Sequence, residues 1–188
     1  MSAKVEPLLT IADLEAMPDD ENRYELFEGE LFVSRSPSLS HQRILGNIYD
    51  VIRTYLKQNP IGEVFPTPGV IFDNFNSAIP DIVFISNQQV KNVGTEPHIH
   101  EAPELAIEIV SPGKENARRD REMKRQIYGK FGVKEYWIAD PESRTLEIYR
   151  LKKRTLALAA TLAGEDEITS PVFPGFRCNV NQVFGSLS

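Results

Sequence analysis

Of 188 residues only one is cysteine, Cys178, one is tryptophan and three are histidine. A single thiol excludes an internal disulfide framework and fits a reducing cytoplasm. One cysteine with three histidines also excludes a Cys-rich structural zinc site. No apolar run approaches the roughly 18 residues of a membrane-spanning helix. The start, Met1 to Thr10, carries Glu6 and Pro7 and has no apolar signal-peptide core. No stretch repeats at a fixed period and none is low in complexity. What remains is a globular balance, 41% apolar and 26% charged, with a length that suits one domain. We read residues 1–188 as that domain, with its core over about 20–150 and an N-terminal helix and C-terminal strands as extensions.

Positive charge is also in short supply. The net charge of −6 argues against general affinity for nucleic acid or anionic lipid. It is unevenly spread, however. Residues 1–31 hold nine acids and two bases, a balance of −7, whereas 114–134 hold eight bases and three acids, a balance of +5. A polyanion could therefore find one favourable face, although the same run suits a solvated helix surface.

The patterning alternates between helix and strand periods. Thr10 is an N-cap for a short helix over 11–17, stopped by Pro18. Residues 24–33 form two short strands turning near Gly29. From His41 to Gln58, Ile44, Leu45, Ile48, Val51, Ile52, Tyr55 and Leu56 share one helical face, with His41 in its midst, and Asn59-Pro60 ends the helix. Strands follow at 63–65, 69–72, 79–85 and 104–110, the last two separated by a polar connection over 86–103. A second long helix runs from about Lys114 to Phe131, with Gly132 as its C-cap. Strands at 135–139, 145–151 and 155–163 and a short end segment complete an α/β chain. Strand, helix and strand at 104–110, 114–131 and 135–139 make a βαβ unit, so its strands should be parallel.

Two carboxylates stand where a strand should bury apolar groups, Asp81 in Ala78-Ile-Pro-Asp-Ile-Val-Phe-Ile85 and Glu108 in Leu105-Ala-Ile-Glu-Ile-Val110. A buried carboxylate needs a cation, a donor or water. If the strands pair, the two acids meet at one point and offer the oxygen ligands that Mg²⁺ accepts; by ordinary alternation each could instead face solvent. The second helix carries a further anomaly. At about 100° per residue, Asp120 and Lys124 fall inside the stripe of Ala117, Ile127, Tyr128 and Phe131. Arg121 lies at its edge, and Arg118, Arg119, Arg125 and Lys130 lie outside it. An i,i+4 salt bridge across the stripe, with the lysine stem snorkelling, would explain the pair but not the nearby acids. His98 and His100 lack a third ligand in a polar loop, Tyr136 and Trp137 suit the core, and Cys178 has no basic activator.

Pro80-Asp81 followed by Glu108-Ile109-Val110, on strands before a helix, resembles the active-site spacing of the PD-(D/E)XK nuclease superfamily, which shares the restriction-endonuclease-like core. More closely, the chain resembles a bacterial branch of restriction endonucleases long carried as a domain of unknown function. The matching stretches are Tyr24-Glu-Leu-Phe-Glu-Gly-Glu30, Ser40-His-Gln-Arg43, Pro80-Asp-Ile-Val-Phe84, Glu108-Ile-Val-Ser-Pro112, Asp120-Arg-Glu-Met-Lys124 and Tyr128 to Pro141. The superfamily's usual lysine, two residues after the glutamate, would fall at Val110. In this branch it moves to the following helix, where Lys124 matches.

The resemblance implies an α/β fold with a central mixed β-sheet flanked by helices, and metal-dependent hydrolysis of phosphodiester bonds in DNA. It implies that Asp81, Glu108 and the backbone carbonyl of Ile109 hold Mg²⁺ or Mn²⁺, with Lys124 catalytic. Asp120, His41 and Glu25 would support the site. Arg118, Arg119, Arg125 and Lys130 are the expected phosphate contacts. A homodimer is the simplest way to cut both strands of a duplex. Two other classes stay open: a nucleic-acid-binding module that kept the fold and lost turnover, favoured by Val110, and a regulatory protein with no nucleic-acid partner.

Overall fold

The computed structural model describes residues 7–18, 20–111 and 119–185, and of Arg119 and Asp120 the backbone alone. In chain order the elements are α1 (Ile11–Glu15), β1 (Arg23–Phe27), β2 (Glu30–Ser34), α2 (Leu39–Gln58), β3 (Gly62–Pro66), β4 (Val70–Asp73), β5 (Asn76–Ala78), β6 (Ile82–Ser86), α3 (Asn87–Val93) and β7 (Leu105–Ile109). A π-helical turn (Arg119–Lys124) then leads into α4 (Arg125–Phe131), β8 (Glu135–Asp140), β9 (Thr145–Lys152), β10 (Thr155–Ala163), β11 (Glu167–Ser170), β12 (Phe173–Asn179) and α5 (Val180–Phe184). None of the described helices is long and apolar enough to cross a membrane.

The strands form a mixed six-stranded sheet in the order β10-β9-β8-β7-β6-β3, a four-stranded sheet in the order β2-β1-β5-β4, and the β11-β12 pair. β7 and β8 are parallel, and β6 runs antiparallel to β7. The strand–helix–strand pattern therefore yields its parallel pair. Alternation sends Leu105, Ile107 and Ile109 to one face of the central sheet, where they meet Ile44, Ile48 and Ile52 of α2 and the aromatic rings of the C-terminal segment. Ala106 and Val110 face the other way, towards Ile127 and Tyr128 of α4 and Phe27 of β1. Tyr136 and Trp137 are buried in this core.

α1 starts at Thr10 with a reciprocal capping box to Asp13, and α2 starts at Ser38, whose side chain accepts from the His41 amide. The β1–β2 turn holds Glu28 and Gly29 at φ 53° and 79°, the left-handed pair a two-residue hairpin requires.

Three elements differ from the sequence reading. The connection over 86–103 contains α3, because Ser86 and Gln89 close a capping box that starts a helix in a polar stretch. The strand expected over 79–85 is broken: β5 ends at Ala78 in one sheet and β6 begins at Ile82 in the other, so residues 79–81 cross between sheets. The second helix is regular only over α4, and the turn before it is π-helical; its expected start at 114–118 lies outside the described residues.

Candidate active site

The crossover between the two sheets places Asp81 just ahead of β6. Extending the β6–β7 register by one pair sets Asp81 directly across from Glu108, so both carboxylates stand on one side of the ladder. β1 supplies Glu25 from the other sheet, α2 supplies His41 from its first turn, and the π-helical turn ends on Lys124. All five side chains line one small polar cleft of about 40 Å³. That volume admits an ion and a water or two, not an organic ligand.

Every one of these charged or polar groups is buried: Lys124 is 2% exposed, Glu25 3%, Asp81 and Glu108 4%, and His41 5%. Burial of that kind demands partners. Lys124 Nζ lies 2.9 Å from Glu108 Oε1 and 3.1 Å from Glu25 Oε1. The Tyr128 hydroxyl donates to the same Glu108 oxygen at 2.8 Å. Burial first, then the Glu108 charge, pushes that phenol well above its ordinary value, so it stays a neutral donor. Asp81 Oδ2 accepts from the Ile109 amide at 2.8 Å, and Oδ1 sits 2.9 Å from His41 Nε2. Glu25 Oε1 also accepts from the Ile79 amide at 2.9 Å, which ties β1 to the crossover.

Lys124 thus bridges Glu25 and Glu108, with Asp81 across from Glu108 in the strand register. Residues 11–181 match the Uma2 family, described as putative restriction endonuclease. The chain belongs to that family. Among solved structures it is similar to a putative nuclease belonging to DUF820 from Anabaena variabilis ATCC 29413, with a TM-score of 0.77 and 20% sequence identity, covering 94% of this chain and 97% of that one. At that identity the likeness is one of fold. No curated protein matches the chain.

The donor set of this Uma2 chain suits a hard divalent cation. It offers carboxylate oxygens from Asp81 and Glu108, and Ile109, whose main-chain carbonyl is the third candidate, also lines the cleft. The register places Pro80 opposite Ile109, and proline has no N–H to give that carbonyl. Among the described residues no three His, Cys, Asp or Glu side chains stand together as a preformed metal cluster.

Other sequence candidates lie elsewhere. Asp120 was expected to hold Lys124; its side chain lies outside the described residues, and among those described Glu108 and Glu25 hold the lysine. Arg121 is committed to Asp140 and Glu147 at 2.8 and 3.0 Å. Of the four basic residues expected on nucleic acid, Arg118 and the Arg119 side chain lie outside the described residues, Arg125 stacks over the Tyr149 ring, and Lys130 pairs with Glu28 on the surface. Neither Arg125 nor Lys130 lines the cleft. Arg23 and Arg35 do, and so does Ser111. Sequence reasoning missed them, and it missed the Tyr128 hydroxyl. Arg23 and Arg35 flank the Tyr24–Val33 hairpin, and that flanking position was the available signal. Cys178 is buried and pushed up to about 11, which leaves it without thiolate character.

Proposed function

We propose that this chain is a metal-dependent endonuclease that hydrolyses phosphodiester bonds in DNA, acting in the cytoplasm, with Asp81, Glu108 and the Ile109 carbonyl as holders of Mg²⁺ or Mn²⁺. The observation that carries the reading is the convergence of Asp81, Glu108 and Lys124, all buried, on one polar cleft at the end of the central strand. Family membership supports the same chemistry. When bound, the cation would polarise the scissile phosphate and lower the pKa of a water.

The chain's own residues do the rest. The Ile109 amide and His41 fix both oxygens of Asp81, and Tyr128 and Lys124 fix Glu108, so the acids are oriented before substrate arrives. Among the described residues Lys124 is the one buried lysine or arginine. Its ammonium orients the attacking water and stabilises charge that develops on the phosphate. This gives the cleft a lysine although Val110 fills the superfamily's usual place. A homodimer would present two such sites to the two strands of a duplex.

The competing reading is a nucleic-acid-binding protein without turnover. Val110 favours it, as does the fact that Lys124 and His41 already satisfy the carboxylates. The test incubates supercoiled and linear DNA with the protein and Mg²⁺, Mn²⁺ or EDTA. We expect cleavage with either metal, none with EDTA, and none from an Asp81→Ala variant. Binding without cleavage under all metal conditions selects the second reading.

A further inference from the structure

Lys124 is held by two acids, and neither Arg125 nor Lys130 of the helix face expected to meet nucleic acid lines the cleft. The cleft holds two other cations. Arg23 closes one end of β1, and Arg35 follows β2, whose Ser34 pairs with Arg23 in the hairpin register. Both arginines line the same cleft. Arg35 is exposed, and the Arg23 side chain is partly so.

Both groups have donors to spare. A guanidinium carries five N–H donors in a planar fork. Among the described residues neither Arg23 nor Arg35 donates a side-chain hydrogen bond. Arg23 stands 3.6 Å from Asp81 Oδ1, beyond hydrogen-bond range, and that oxygen is already taken by His41. Arg35 has no ion pair among the described residues. The three cleft acids, Glu25, Asp81 and Glu108, are balanced by Lys124, Arg23 and Arg35. Arg23 and Arg35 are the two of those cations that stand nearer the solvent, so an added anion meets them first.

We propose that Arg23 and Arg35 form a phosphate grip at the cleft mouth, which receives a backbone phosphate of a nucleic-acid strand beside the scissile bond. The inference deepens the nuclease reading and rests on it for the identity of the strand. The grip itself needs only a phosphate anion and two guanidinium forks with donors to spare, a pairing that is bidentate by geometry. Base edges play no part in it, so it positions the strand without reading its sequence.

The test uses the full chain and separates binding from cleavage. Thymidine 3′,5′-bisphosphate is titrated into wild type, Arg23→Gln, Arg35→Gln and Arg23→Lys by calorimetry, with Lys130→Gln as a control. Each Gln variant should bind about tenfold more weakly, Lys130→Gln should match wild type, and Arg23→Lys should recover part of the loss because charge remains while the fork is gone. With a DNA duplex, each Gln variant should also lower the slope of log affinity against log salt by about one. Thermal melting checks that the variants fold, and Arg35, being exposed, supplies an arm that packing cannot explain.

No binding of the bisphosphate by wild type, or binding by both Gln variants as tight as that of wild type, overturns the grip. Bisphosphate binding that depends on both arginines, with no cleavage under any metal, keeps the grip and removes the nuclease reading instead.

Discussion

Lys124 sits between two buried carboxylates, Glu25 and Glu108, and this decides what its removal does. From the sequence alone it is a charge inside an apolar stripe, and Lys124→Met should then relieve the helix. The two acids reverse the sign. Without the ammonium they face each other in a site of low polarity, and losing one partner of a buried pair costs about 3–5 kcal/mol. Lys124→Met should therefore lose cleavage and unfold at lower urea. Lys124→Arg should keep most of the stability and still cleave poorly, since a broad fork replaces a compact ammonium. Full cleavage by a folded Lys124→Met protein would refute the catalytic role. Asp81 and Glu108 were legible because acids are conspicuous among Ile and Val. Arg23 lies in an acidic segment and reads as surface. The Tyr128 hydroxyl was hidden because an aromatic on an apolar face reads as core.

At the scale of elements, strands and the parallel pair were legible from period-two runs around a helix, whereas local departures from regularity were not. The capping box of Ser86 and Gln89 was present in the sequence, but polar residues around it concealed the helix. The π-helical turn leaves no mark in a pattern read at about 100° per residue. β8 carries a further buried acid that the cleft does not use. Glu135 is fully buried, accepts from the Ser170 hydroxyl of β11, and faces Arg150 of β9, so it ties the central sheet to the β11–β12 pair. Burial pushes its carboxyl above the ordinary value, although Ser170, Trp137 and Arg150 pull the other way. The sign follows from linkage. A raised acid adds stability that is complete below its unfolded value of 4.5 and is lost as pH rises through the folded value. Glu135→Gln should thus gain on wild type between pH 4 and pH 8. Urea midpoints at the two pH values measure it, and an equal gap between the proteins at both would count against the assignment.

At the scale of the whole molecule, the cleft is a junction. β1 belongs to one sheet and β7 to the other, residues 79–81 pass between them, and α2 and the π-helical turn close the sides. Composition could not show this, because a net charge of −6 says nothing about where two sheets meet. The junction has a consequence for metal binding. Its acids are held by Lys124, His41, Tyr128 and main-chain amides, so the fold is complete without a cation. EDTA should leave the protein folded and melting cooperatively, unlike a metal-nucleated domain. Added Mg²⁺ or Mn²⁺ should then act as a ligand of the folded state. At tenfold excess over its dissociation constant it contributes about 1.4 kcal/mol, or about 3–6 °C in melting temperature for a chain of this size. Asp81→Asn keeps an acceptor for the Ile109 amide but removes the charge, so it should fold and lose the shift. An equal shift in Asp81→Asn would put the ion at another site, and unfolding in EDTA would make the metal structural.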